Sequence, residues 1–523
     1  MDASSTVTAQ QWLTAIDAPD ATLAGRLVAA CGGETPTPER LDGYRRALER
    51  FAREFGADRP VTIVRVPGRL NVLGRHADHR GGYVNPIALA QEVVLVFSPA
   101  GDDCIDVVNV DDAYGRRTFR IAERAPRDPL AEVHAWLDWT QDLARDRAAA
   151  HDWEHKLAAP PVYLAQMVFR DRTLRGFSGV IAGSVPPRRG LSSSSAVVIA
   201  SMLAMVEVND LPLTREELIP HCGVAEWYVG TRGGCGDHAA ILCAKRGHLT
   251  HVRTVPDLVV AGHFPVPPEY HMVVFYSGHD ADKTGAAGNT FNERVACYEI
   301  ADLFAARFLR ERPATIETVG RVHMGDIAER LDAATIYALL QSVPERASRD
   351  EIRRALPDDD AALERQFATH TELPEGYRLR GALTFGIAEC TRSAQAPELL
   401  ARGDIAAFGR WMNISHDGDR VSGTTCVDAV PKGTIEATRA VWEHPGGYDC
   451  STVAIDHMVD IALSAGALGA QVTAAGLGGS MMALVKADDV DRVVQAMTRD
   501  YFAPEGVAPN HLVAVPSAGA AYV

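Results

Sequence analysis

The stretch from Pro186 to Ala196, PPRRGLSSSSA, restricts the possible folds more than any other part of the chain. It follows a short apolar strand-like run, Gly179 to Gly183, and opens into Ala196 to Met205, apolar and long enough for a buried helix. A strand, a glycine-hydroxyl turn and a helix together make an anion site. The first N–H groups of a helix have no partner inside it and carry the positive end of its dipole. Four consecutive serines add hydroxyls that can reach phosphate oxygens or a hard cation. The alternative is a serine-rich turn that only caps a core helix. The neighbouring stretches decide between them.

Upstream, Thr37 and Pro38 supply an N-cap and a first-turn proline for a helix with Leu41, Tyr44, Leu48, Phe51 and Phe55 on one face, ended by Gly56. A shorter helix is expected near Gln10 to Ile16. Val61 to Val66 and Glu92 to Phe97 read as strands. Between them Gly68, Gly74, Gly81 and Gly82 punctuate a loop whose polar side chains can converge on a small ligand. Residues 116–171 read as helical, with Trp136, Trp139 and Trp153 as core anchors. Thr214 to Glu217 is a capping-box pattern for a helix that carries Glu226 and runs into the glycine-rich segment 230–236 and Asp237.

In the second half, Val273 to Tyr276 reads as a strand, Ser277 to Asn289 as a loop, and a long helix follows through Cys297, Ile300 and Phe304. The loop contains GHDADKT, which lacks the glycine a Walker loop needs before its lysine. Residues 327–373 are charged and helical, a natural insertion. Helices over Leu379 to Arg392, Ala406 to Met412 and Ile455 to Leu463 lead to a last glycine-rich stretch, Ala474 to Leu484. The pattern is mixed α/β.

At 523 residues the chain suits two domains with insertions rather than one core. A net charge of −16 without a long basic block argues against nucleic-acid or anionic-membrane surfaces, so an anionic ligand must be met by local cations. The nine cysteines are scattered without a CxxC pair, which fits reduced thiols and a cytoplasmic setting. The sequence shows no signal-peptide pattern and no apolar span of membrane length, so no membrane partner is expected; it carries no signal for an oligomeric state.

Three stretches resemble one family, in that family's order. PPRRGLSSSSA is similar to the PxxxGLSSSA nucleotide loop of the GHMP small-molecule kinases. Pro67 to Gly82, PGRLNVLGRHADHRGG, resembles the galactokinase signature GRxNLxGEHTDYxGG, and Ala474 to Leu484, AAGLGGSMMAL, resembles GxGxGGxxxAL. The galactokinase branch is also suggested by Glu226 to Asp237, similar to AExxxxGxxxGxMDQ with a shorter interval and His238 for the glutamine, and by Phe291 to Arg294, similar to YNxR with phenylalanine for tyrosine. The resemblance implies an α/β (α+β) fold of two domains with the active-site cleft between them. Its divisions would be an N-terminal extension over 1–36, an N-terminal domain over 37–270, and a C-terminal domain over 271–523 with the insertion at about 327–373.

The implied activity is ATP- and Mg2+-dependent phosphorylation of the anomeric (C1) hydroxyl of a galactose-like sugar or a sugar acid such as galacturonate. Alternatives are a sugar- and ATP-binding sensor that transfers little phosphate, or a GHMP kinase for another small alcohol. Asp237 is the implied base, with Arg69 keeping it ionised; a helix cap and a structural ion pair are the bland readings of the two. Arg188, Arg189, Gly190, Leu191, Ser192, Ser193, Ser194, Ser195 and Ala196 would hold the nucleotide, and Ser194 with Glu226 the metal. Arg188 and Arg189 stand where relatives have glycines, as phosphate clamps or as surface charge. His76, Asp78, Gly236 and Phe291 would line the acceptor site. Arg75 replaces a sugar-binding glutamate, exchanging an acceptor-only anion for a five-donor cation: either it meets an anionic group on the substrate, or it turns away to a protein carboxylate.

Overall fold

A computed structural model describes residues 7–17, 21–130, 132–146, 152–230, 234–280, 285–312, 322–423, 425 and 430–523. Twelve described strands form two sheets. The first holds β1 (Thr62–Leu73), β2 (Tyr83–Pro99), β3 (Cys104–Asn109), β4 (Arg116–Arg120), β5 (Phe177–Gly183), β6 (His248–Arg253), β7 (Val259–Pro265) and β12 (Ala521–Tyr522). The second is β11 (His511–Ala514), β8 (Tyr270–Tyr276), β10 (Ser480–Lys486) and β9 (Gly469–Val472), in that spatial order. In the first sheet the path runs β12-β1-β2-β5-β3-β4, with β6 joined to β2 and β7 to β6.

The helix over Ser193–Val208 is apolar all round and accordingly buried, packed on β1 and β2 on one side and on the helix Glu154–Tyr163 on the other. Ile199, Met202 and Leu203 on it are each at most 5 % exposed and contribute roughly 1.5–3 kcal/mol apiece. Its start is thereby fixed against the sheet. Helices over Met324–Arg330, Ala333–Ser342, Arg349–Ala355 and Asp360–Phe367 make up the charged segment and share a core with Gly285–Arg310 and Leu379–Ala401.

Four expectations change. The strands flanking the first glycine segment run much further into it, because a β-bulge between Pro67 and Arg69 lets β1 keep pairing with β2. Residues 116–120 are a strand paired with β3, not helix: Phe119 alone in that run is buried, the pattern of an edge strand. The long helix begins at Gly285, so the last residues of the expected loop, to Asn289, lie on it. Finally β12, at the chain's end, pairs with β1, so the last residues return to the first sheet across the 270/271 division.

Candidate active site

Arg69 lies on β1 just after the bulge, where Gly68 permits close approach: a Cβ there would meet the Leu191 carbonyl oxygen at 2.8 Å. The Arg69 backbone N–H donates to that carbonyl at 3.2 Å, and Arg69 Nη1 donates to the Gly190 carbonyl at 2.8 Å. The strand is thus tied to the serine loop. From it Arg69 makes a bidentate pair with Asp237, Nε to Oδ1 at 2.6 Å and Nη2 to Oδ2 at 2.7 Å. Ser192 Oγ also donates to Oδ2, at 2.6 Å. Ser192 is the N-cap residue of Ser193–Val208 but makes no capping bond with its side chain. The Ser192 side chain thus does not cap the helix, whose first amides could meet an anion. Burial alone would raise the Asp237 pKa; Arg69 and the Ser192 hydroxyl reverse this and hold it at about 2.

Ser194 Oγ and Ser195 Oγ donate to the two oxygens of Glu226, at 2.8 and 2.9 Å. His238 Nε2 lies 2.9 Å from Glu226 Oε2. Burial opposes ionisation of Glu226, yet His238 and the two hydroxyls outweigh it and keep the carboxyl below its usual range. Ser194 and Glu226 therefore converge as an ionised, all-oxygen donor pair, the chemistry Mg2+ takes. At the mouth of the loop, Arg188 Nη1 is 3.8 Å from Asp280 Oδ2, Arg189 lies 4.3 Å over the Tyr276 ring, and Tyr276 OH donates to Asp280 Oδ1 at 2.6 Å. The last glycine stretch closes the other side: Ser480 Oγ donates to the Arg189 carbonyl at 3.1 Å, and a Cβ on Gly190 would meet Ala474 at 3.0 Å.

On the acceptor side, Asp78 sits against the loop that carries Asp237: a Cβ on Gly236 would lie 3.2 Å from Asp78 Oδ2. His76 lies against Tyr448 with the rings tilted and their centroids 4.7 Å apart, and Phe291 is half-buried on the first turns of Gly285–Arg310. For Arg75 the second of the two alternatives is the one observed. Arg75 is 1 % exposed and pairs with Asp419, while its Nη1 donates to the Val472 carbonyl at 3.0 Å. Its backbone is pinned as well, since Gly74 N–H and Arg75 N–H both donate to Glu389 Oε1, at 2.9 and 3.1 Å. A guanidinium buried this far needs a counter-ion inside the protein, and Asp419 supplies it. Arg75 is thereby committed to protein partners.

Family signatures cover three parts of the chain: the galactokinase galactose-binding signature over residues 49–99, the GHMP kinases N terminal domain over 161–245, and the GHMP kinases C terminal over 396–503. The chain belongs to the GHMP kinase family. Within the family it is galactokinase-like: it is 27 % identical to the galactokinase of Chloroflexus aurantiacus over 480 residues, covering 90 % of this chain and 96 % of that one. It is also 27 % identical to the Streptomyces coelicolor galactokinase over 482 residues, with the same coverage. In structure it is similar to Lactococcus lactis galactokinase crystallised with galactose, with a TM-score of 0.61, 20 % identity, and coverage of 91 % of this chain and 98 % of that one.

This GHMP kinase carries site features that sequence reasoning missed. His238 signals only as a departure from a motif, and nothing in the sequence pairs it with Glu226. The Tyr276–Asp280 grip on the loop arginines joins residues of the two halves. Lys156, on the helix beside Ser193–Val208, lies within electrostatic reach of Glu226 and Arg188, and burial lowers its pKa. Residues 231–233 of the glycine-rich segment fall outside the described residues. No described helix is long and apolar enough to cross a membrane.

Proposed function

We propose that this galactokinase-like enzyme transfers the γ-phosphoryl group of ATP to the anomeric hydroxyl of a galactose-like sugar. The observation that carries the reading is the Arg69–Asp237 pair fastened to Ser192 at the uncapped start of the serine helix. An ionised carboxylate beside a helix start with uncapped amides supports phosphoryl transfer. Asp237 Oδ2 already accepts two hydrogen bonds and Oδ1 one, so among the described residues Oδ1 keeps a lone pair for the acceptor hydroxyl.

The sugar oxygen attacks the γ-phosphorus; an O–P bond forms, the bond to the β,γ-bridging oxygen breaks, and ADP leaves. The hydroxyl proton passes to Asp237 Oδ1. At a pKa of about 2 this carboxylate is a weak base, which suits a transfer whose transition state is loose and needs the proton removed late. Its early role is orientation. Arg69 compensates the charge on Asp237 until the proton arrives. Ser192, Ser193 and the amides behind them bind the phosphates, with Arg188 and Arg189 closing over them. Ser194 and Glu226 would hold Mg2+, which would neutralise the charge of the phosphates. His76, Asp78, Gly236 and Phe291 position the sugar.

The test is ATP-dependent turnover of galactose by the purified enzyme, followed as ADP release and as sugar 1-phosphate. Turnover lost in Asp237→Asn with ATP binding intact supports the reading. Saturable binding of ATP and sugar without turnover in the wild type would overturn it in favour of a sensor.

A further inference from the structure

Arg75 is sealed, but a second group of cations beside the same motif is not. Lys432 and Arg378 both pair with Asp449, and Arg294 Nε donates to the Asp449 carbonyl at 3.5 Å while its guanidinium pairs with Glu293. Lys432, Arg378 and Arg294 thus face two carboxylates, Asp449 and Glu293. Two further carboxylates act on Lys432 from a distance: Asp419, which Arg75 pairs, and Asp456, which lies by His416 and accepts from the N–H groups of Val421 and Ser422. Three cations thus gather around one aspartate in a protein whose net charge is −16. The crowding shows in the groups themselves. Burial, with Arg346 and Arg294, lowers Arg378, and burial, with Arg378 and Arg294, brings Lys432 down to about 8.

Place and access both fit an acceptor. The side chains of Arg378 and Lys432 are 37 % and 25 % exposed, against 1 % for Arg75. Asp449 is held in the left-handed region at φ 58°, a strained conformation for an aspartate, at the centre of the three cations. The next residue, Cys450, brings its sulfur within 4.8 Å of ligand atoms of His76 and Asp419. His76 therefore lies beside the segment that carries Asp449, against Tyr448 and Cys450 on either side of it, while Asp78 abuts the Asp237 loop. Two residues of chain span at most about 7 Å, the scale of one sugar ring. A sugar lying along His76 to Asp78 with its reactive hydroxyl at Asp237 would turn its far end toward the Tyr448–Cys450 segment. Arg294 stands one helical turn beyond Phe291, on the same face.

We propose that Lys432, Arg378 and Arg294 form an anion subsite that binds a carboxylate or phosphate carried by the acceptor sugar away from the transferred hydroxyl, Asp449 holding the cations together in its absence. The inference rests on the sugar-kinase reading and names the substrate class for it. The test compares kcat/KM for galactose, galacturonate and galactose 6-phosphate with ATP and Mg2+, in the wild type, Lys432→Met, Arg378→Gln and the charge-retaining Lys432→Arg. An anionic sugar is expected to be the better wild-type substrate, and which of the two is better separates carboxylate from phosphate. Lys432→Met should lower the anionic-to-neutral ratio of kcat/KM by about ten- to a hundredfold, mainly through KM, with most of it restored in Lys432→Arg. The half-exposed Arg378→Gln gives the same readout should Lys432→Met fail to fold. Turnover of galactose with both anionic sugars inert overturns the subsite and leaves the kinase standing, as does an equal loss on all three sugars in Lys432→Met. Absence of turnover on every sugar overturns both.

Discussion

Arg69 and Arg75 lie close together in one motif, and each grips an aspartate from a distant part of the chain. The Arg69–Asp237 pair opens on the cleft, with the Asp237 side chain 36 % exposed; the Arg75–Asp419 pair is sealed, with Asp419 at 0 %. The chemistry is the same and the outcome opposite. Asp237 gains a hydroxyl donor and is pulled to about 2, whereas burial dominates at Asp419 and pushes its carboxyl up despite Arg75. An arginine in a ligand-binding motif is therefore not by itself a ligand. What decides is whether its partner keeps a lone pair toward the cleft.

The sharpest break of that comparison is Asp237→Asn. It keeps the shape but removes the charge and the proton acceptor, and kcat should fall by about 10³-fold while ATP affinity stays within a fewfold. Initial rates with calorimetric ATP titration measure both. A fall smaller than tenfold would mean that another group takes the proton. Arg75→Leu should act on the fold instead. Leaving Asp419 charged and unpaired costs about 3–5 kcal/mol in denaturant unfolding, and the double variant with Asp419→Leu should recover most of that. If Arg75→Leu unfolds at the wild-type midpoint, the sealed pair does not exist in solution.

The two pairs also explain what was legible in the sequence. The serine loop, Arg69 and Asp237 were readable because phosphate binding depends on backbone amides and a local order of glycine and hydroxyl residues, which a motif records directly. Arg75 was readable only as two alternatives. Its direction depends on Asp419 and Glu389, which lie on distant helices and belong to no motif. The mixed α/β architecture and most helices followed from periodicity. The strand over Arg116–Arg120 did not, since a run of arginines with one buried phenylalanine carries no period a reader can see. Nor did the return of β12 to β1, a pairing between chain ends that no local pattern encodes.

Acid titration separates the pairs by sign. The pKa of Asp237 is depressed in the folded protein, so its pair stabilises fully above the unfolded value of about 3.9 and is lost as pH falls through about 2. Asp419 is raised, so it contributes nothing of this kind. Thermal unfolding across pH 2–6 should therefore lose part of its acid slope in Asp237→Asn. An unchanged slope would show that Asp237 titrates normally.

Ser192→Ala is the smallest change and the one that tests the open pair from its other side. Ser192 adopts the left-handed conformation at φ 59° and aims its hydroxyl at Asp237 Oδ2 instead of capping its helix. Removing it takes away one charged hydrogen bond, which water in the cleft partly replaces, so the effect is about 1 kcal/mol, or roughly five- to tenfold in kcat/KM. The split between parameters carries the information. If the hydroxyl orients the base, kcat falls and the KM for ATP holds, because Asp237 loses alignment while the helix amides still bind phosphate. If the hydroxyl swings to the nucleotide when ATP arrives, the KM for ATP rises and kcat holds. In that case Asp237 Oδ2 is freed during the reaction, and the oxygen facing the acceptor is set by nucleotide binding rather than built into the apo site.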